Sequence, residues 1–194
     1  MEPDDLKLIR DAKQGDAQAF TNLIRSYQNF AYKTVLGVLN NASDADDALQ
    51  ETFIKVHRAL PNLRDERTFP SWLARIATRT ALDLVRSRAH ARTSYDDEID
   101  RHTFVDPGPQ VDLRLDLQQA LGRLSPEHRT VLVLREVQGF DYAAIADILH
   151  IPLGTVRSRL FNARAQLRSQ LESDGASENA GRSTKGNKGG ARDD

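Results

Sequence analysis

Residues 141–171 read DYAAIADILHIPLGTVRSRLFNARAQLRSQL, and the spacing of apolar residues in this stretch decides the fold. Asp141 to Leu149 is a short helical run with Ile145, Ala146, Ile148 and Leu149 inside, and Asp141 can cap it. His150-Ile151-Pro152 makes a tight turn, and Leu153 to Leu171 is a second helical run. Two helices across so short a turn form a helix-turn-helix. At about 100° per residue, Val156, Leu160, Ala163 and Leu167 fall on one stripe of the second helix, which predicts burial. The opposite side carries Gly154, Ser158, Phe161 and Ala165, flanked by Arg157, Asn162 and Arg168. The charged residues of this helix are Arg157, Arg159, Arg164 and Arg168, with no acid among them. A cationic helix with hydrogen-bonding side chains outward suits a DNA major groove. There arginine bonds guanine, asparagine bonds adenine, and an apolar group meets the thymine methyl. A merely solvated basic helix is the plain alternative, but an outward Phe161 is hard to explain in water.

Upstream, Ser125-Pro126-Glu127 supplies a cap residue, a first-position proline and an acid for the first turn of a helix. Val131 to Val137 continues it and Gly139 stops it. Leu113, Leu117, Ala120, Leu121 and Leu124 carry a helical pattern just before. Residues 96–116 hold seven acids against Arg101 and Arg114, a net of −5, with Pro107-Gly108-Pro109 inside, which is linker composition. Residues 173–194 are rich in Gly, Ser, Asn and charge, and disorder is expected there.

The N-terminal part holds three helical regions. Leu6, Ile9, Phe20, Leu23, Ile24, Tyr27 and Phe30 mark the first, with a break near Gly15. Ala45, Ala48, Leu49, Thr52, Phe53, Val56, Ala59 and Leu60 mark the second, with Ser43 or Asp44 placed to cap it. Phe69, Trp72, Leu73, Ile76, Ala77, Thr80, Ala81, Leu84 and Val85 mark the third. Helical stripes bury against one another, so these predict a small bundle. The expected architecture is therefore all-α. It comprises two small helical domains, 1–92 and 112–172, an acidic flexible linker at 93–111 and a tail at 173–194.

Two features of the bundle suggest surfaces. Ile54 sits in the middle of the polar side of the second helix, ringed by Asp47, Gln50, Glu51 and Arg58. A lone exposed isoleucine usually means nothing, but one ringed by polar groups can be a protein-docking patch. The third helix carries Arg75, Arg79, Arg86, Arg88 and Arg92 against Asp83, a net of +4, beside Phe69 and Trp72. Rings that stack on bases beside cations that hold phosphates suit an unpaired DNA strand. Packing into the core is the competing reading for Trp72.

Residues 125–136, 142–149 and 151–160, above all Gly154-Thr155-Val156-Arg157-Ser158-Arg159, resemble a domain of the extracytoplasmic-function sigma factors, a class of the bacterial sigma-70 family. In that family the domain reads the −35 promoter element. The resemblance implies that Thr155, Arg157, Ser158, Phe161, Asn162 and Arg168 contact it. Residues 44–56 resemble the stretch that binds a coiled coil of the polymerase β′ subunit, which implies Asp47, Gln50, Glu51 and Ile54 as contacts to core polymerase. Residues 69–77 resemble the segment that recognises and melts the −10 element, which implies Phe69, Trp72, Arg75, Arg79, Arg86 and Arg88. The family further implies RNA polymerase core (β′ and β), promoter DNA and an anti-sigma factor as partners. Its linker threads toward the RNA path of the polymerase, where a polyanion can imitate RNA. Three residues depart from the family pattern. His150 stands where glycine is usual, Asn162 where many members carry a base, and Arg79 where asparagine is common.

The 194 residues carry a net charge of −1, so DNA binding rests on where charges sit rather than on their sum. The absence of cysteine removes disulfides and thiolate metal sites and fits a reducing compartment. No apolar run approaches the ~18 residues of a membrane span, and Met1-Glu2-Pro3-Asp4-Asp5 is too acidic for a signal peptide. A cytoplasmic protein without membrane insertion is expected. Five histidines (His57, His90, His102, His128 and His150) fall in no HExxH pattern, and neither a phosphate loop nor a nucleophile elbow occurs. No catalytic residue, metal or cofactor is expected. A one-component regulator, binding an operator without polymerase, is the alternative reading.

Overall fold

Gly15 takes φ 94°, a left-handed conformation that divides the first helical region into α1 (Pro3–Lys13) and α2 (Ala17–Leu39). Asp16 caps α2 by accepting from the backbone N–H groups of Gln18 and Ala19. The computed structural model describes residues 3–94 and 117–183, with side chains for 4–90 and 117–172. Every regular element among them is helical. Two short 3-10 turns (Leu60–Asn62, Glu66–Thr68) separate α3 (Ala42–Ala59) from α4 (Phe69–Ser94). A helical segment at 117–122 leads to α5 (Pro126–Leu132), a π-helical turn (Val133–Val137), α6 (Tyr142–Leu149) and α7 (Leu153–Ser183).

The expected bundle forms. Ile9, Leu23, Val56, Leu60, Phe69 and Leu73 build one buried cluster, and Val35, Val38, Ala45, Ala48, Ala77 and Ala81 build a second between α2, α3 and α4. The expected cap of α3 needs correction. Asn41 is the N-cap, its side chain accepting from the Asp44 N–H, so neither Ser43 nor Asp44 plays that part. Asp44 is buried instead and forms a two-pronged ion pair with Arg88 of α4, which stitches the two helices together.

In the C-terminal unit, Ser125 caps α5 by accepting from the His128 N–H, Pro126 fills the first turn, and Asp141 caps α6 through the Ala144 N–H. Gly139, at φ 76°, ends the π-helical turn. Ile145 and Ile148 of α6 meet Val156, Leu160 and Ala163 of α7, over Leu124, Val131 and Leu134. Arg135 lies 5.3 Å from the Tyr142 ring centroid and donates to the Phe140 carbonyl at 2.9 Å, pinning the approach to the helix-turn-helix.

His150 closes α6 in the left-handed region, at φ 53° and ψ 46°, with its N–H donating to the Ala146 carbonyl. That is the conformation glycine adopts most freely. His150→Gly relieves about 1–2 kcal/mol of left-handed strain against about 0.4–1 kcal/mol of added unfolded-chain entropy. A gain in stability of up to about 1.6 kcal/mol is expected, read as a higher denaturation midpoint. A drop would mean that the imidazole itself holds the turn.

The helical backbone of α7 runs to Ser183, past the Leu171 end read from the sequence. Extending an existing helix adds one hydrogen bond per residue fixed, whereas starting one is costly. Residues 95–116 and 184–194, which include most of the acidic linker and the end of the tail, lie outside the described residues.

The two units are in contact. Phe30 of α2 meets Phe140 edge-on at 6.3 Å, and Ala74 of α4 belongs to the C-terminal cluster. Gln138 donates to the Phe30 carbonyl at 3.0 Å and to Thr34 Oγ1 at 2.9 Å. Asn40 donates to the Gln118 carbonyl at 3.0 Å, and Arg75 to the Asp147 carbonyl at 3.0 Å.

Candidate nucleic-acid interface

The inward stripe expected of α7 is the observed one. Val156, Leu160 and Ala163 are buried, and Leu167 packs against the same cluster. The stripe fixes which side of the helix faces out. Arg157, Ser158, Phe161, Asn162 and Arg168 are all exposed, and Thr155 is half-buried at their edge. Phe161 is 74% exposed, the most open large hydrophobic side chain among the described residues. Leu153, at the start of the same helix, is exposed as well. A β-carbon on Gly154 would meet nothing within 4 Å, so the fold itself does not require glycine there. A bare backbone at a helix start leaves room for a phosphate to approach its N–H groups.

The four arginines between Leu153 and Leu171 are not equivalent. Arg164 bonds Glu136 Oε1 at 2.6 Å and reaches the Tyr142 hydroxyl, and the Glu136 hydrogen bond holds its guanidinium above its ordinary pKa. Arg159 is half-buried. The outward cations beside Phe161 are Arg157 and Arg168. On α5, Arg129 is buried with its Nε lacking a partner, and burial lowers its pKa. Sequence spacing gives no sign of that.

The residues of α4 separate more sharply. Arg79 and Arg86 are exposed, Arg86 with an ion pair to Asp83 at 3.1 Å. Trp72 is half-buried, its ring 5.8 Å from that of Phe69. Phe69 has no exposed surface and meets the Tyr27 ring edge-on at 4.9 Å. Its place among the base-stacking residues is therefore withdrawn, because a ring enclosed on all sides has no face to offer a base. Arg88 is engaged by Asp44, and Arg75 is half-buried under the C-terminal unit.

On α3 the polar side is as expected. Asp47, Gln50, Glu51, Ile54 and Arg58 are exposed around one another, and Ile54 keeps 45% of its surface open. Lys55 forms an ion pair with Glu51 at 3.5 Å, between helical neighbours one turn apart. Among the described residues, no group of His, Asp and Glu side chains is placed to hold a metal ion. No described helix is long and apolar enough to cross a membrane.

Residues 23–91 match the family model of Sigma-70 region 2, and residues 114–167 that of Sigma-70 region 4. The chain is 39% identical to the ECF RNA polymerase sigma factor SigE of Mycolicibacterium smegmatis over 81% of its own length, and spans 63% of that protein. It is 32% identical to the RNA polymerase sigma-H factor of Pseudomonas aeruginosa, covering 87% of this chain and 94% of the relative. Among solved structures it is similar to CnrH in complex with the cytosolic domain of CnrY (TM-score 0.64, 26% identity, 88% of this chain and 98% of that one). It also shares the fold of RpoE from Bartonella quintana, solved with the anti-sigma factor NepR (TM-score 0.70, 22% identity, 81% and 99%). With a region 2 bundle, a region 4 helix-turn-helix and relatives more than 30% identical, this chain belongs to the sigma-70 family, among the ECF sigma factors.

Proposed function

We propose that this chain directs core RNA polymerase to promoters by reading the −35 element with the outer face of α7 and the −10 element with α4, while α3 docks on the polymerase. The single observation that carries the DNA reading is the α7 face itself. Between Leu153 and Leu171 its outer side carries no acid and presents Arg157, Ser158, Phe161 and Asn162 to solvent, with Phe161 74% exposed. Thr155 borders the face, and Arg168 sits further along the helix, placed for phosphate. At −10, Arg79 and Arg86 hold the strand and the open side of Trp72 stacks on a base. Arg75 and Arg88 add cations once their present contacts are released. Asp47, Gln50, Glu51 and Ile54 form the polymerase contact, with the β′ coiled coil as counterpart. The chain acts in the cytoplasm and catalyses nothing itself, since bond formation belongs to the polymerase. An anti-sigma protein restrains it, by analogy with the complexes of CnrH and RpoE.

Arg157→Ala is expected to cost about 1–3 kcal/mol of promoter affinity and to relax selection at one −35 position. Arg168→Ala should weaken binding evenly across sequences and make the salt dependence shallower by about one charge. Both are read from binding to a panel of −35 variants at several salt concentrations. An unchanged base preference for Arg157→Ala would remove α7 from the groove in this orientation.

A further inference from the structure

Three arginines line one flank of α7. At about 100° per residue, Arg157, Arg164 and Arg168 fall within about 40° of one another around the axis. The first and last are roughly 16 Å apart along it. They make a straight basic row at the border between the buried stripe and the outer face of Ser158, Phe161 and Asn162. The middle of that row is already occupied. Glu136, in the π-helical turn, lies 28 residues upstream, and its Oε1 accepts from Arg164 Nη2 at 2.6 Å and from Nε at 3.2 Å. Arg164 Nη1 meets the Tyr142 hydroxyl at 3.5 Å. Since α7 supplies no acid of its own between Leu153 and Leu171, this carboxylate comes to the row from another element. Both side chains stay about half exposed, 48% for Arg164 and 53% for Glu136. An exposed pair of this kind stabilises a fold by at most about 1 kcal/mol. Its charge matters more to an anion arriving from solvent.

We infer that Glu136 is a specificity-determining residue: its carboxylate stands in for a DNA phosphate at Arg164 and withholds the central cation of the row from sequence-independent binding. The inference rests on the reading of α7 as the −35 helix. Phosphate attraction carries no sequence information, and each cation that meets a phosphate strengthens binding to every sequence alike. Laid along one strand, Arg157, Arg164 and Arg168 would form the densest cationic track between Leu153 and Leu171. With Glu136 in place, a phosphate gains Arg164 only by breaking the pair and approaching a carboxylate. The base-reading seat makes a different demand. There α7 turns Ser158, Phe161 and Asn162 into the groove, and Arg164 stays at the edge, still bonded to Glu136. The acid therefore penalises the phosphate-tracking pose more than the reading pose, and specificity is the gap between the two.

Glu136→Gln removes the charge while leaving an amide oxygen that can still accept from Arg164. On a duplex of random sequence, the full-length Glu136→Gln chain should bind about five- to tenfold more tightly at about 0.1 M salt, with a salt dependence steeper by about one phosphate. A duplex carrying the −35 block selected from a random pool should gain less than about twofold, so discrimination falls severalfold. Arg164→Gln should weaken binding to the random duplex, because it leaves Glu136 facing the strand. Glu136→Gln/Arg164→Gln should return to the wild-type salt dependence. Melting curves are the folding control. A pair that only staples the helix predicts the opposite sign, with Glu136→Gln melting lower and binding both duplexes more weakly. That result, equal tightening on both duplexes, or an unchanged salt dependence would overturn the inference. If the wild-type chain selected no block from the pool, the −35 reading would fall and the specificity role with it. The random-duplex salt dependence would still show whether Glu136 withholds Arg164.

Discussion

Ile54→Asp is expected to weaken association with core RNA polymerase at least a hundredfold while leaving the chain folded. Ile54 lies on the polar side of α3, outside the buried clusters, with 45% of its surface exposed, so the substitution removes little internal packing. At an interface, however, the new carboxylate loses its water beside Asp47 and Glu51, and Arg58 one turn on offsets its charge only in part. Burial of an unpaired charge costs several kcal/mol, and about 3 kcal/mol already corresponds to more than a hundredfold in affinity. The measurement is equilibrium binding to core polymerase, with circular dichroism and a melting curve as folding controls. DNA affinity at the −35 element should not change, because α3 lies in the other unit. Normal polymerase binding by a folded Ile54→Asp chain would remove this patch from the interface.

Phe69→Ala carries the second large effect, and here the loss is of stability. Phe69 is fully enclosed between Tyr27, Trp72 and the apolar residues of the first cluster. Truncating a buried phenylalanine costs about 3–5 kcal/mol in lost transfer energy and residual cavity. Phe69→Leu, which keeps most of the volume, should cost about 1.5 kcal/mol or less. Denaturation midpoints distinguish this from a role in stacking on DNA. If the ring met a base, Phe69→Ala would retain its stability and lose promoter melting.

The places where sequence and structure part company share a physical cause. The stripe of Val156, Leu160 and Ala163 is legible because helical period alone decides which side is buried. The caps at Ser125 and Asp141 are local too, since each side chain bonds an N–H three residues on. At the start of α3, Asn41, Ser43 and Asp44 all have capping chemistry, and the outcome depends on Arg88, which claims Asp44 from another helix. Phe69 and Trp72 read alike as aromatics beside arginines, and only the enclosure by Tyr27 and the core separates them. The polar side of α3 came through intact because exposure is the complement of a well-marked stripe. The docking of the two units has no periodic signature at all. It depends on single groups such as the Gln138 and Asn40 amides, Gly37 and the Phe30 carbonyl, brought together from distant parts of the chain. The length of α7 was underestimated for a different reason, because composition after Glu172 argues against burial but not against propagating a helix already formed.

The account as a whole stands on promoter selection by the intact chain. Run-off transcription with purified core polymerase on a randomised promoter library tests it most directly. The wild-type chain should enrich two sequence blocks at a fixed separation. Arg157→Ala should relax a position in the upstream block alone, and substitution of Arg79 should alter the downstream block alone. Transcripts no different from those of core polymerase without the chain, or enrichment of a single block indifferent to both substitutions, would contradict it.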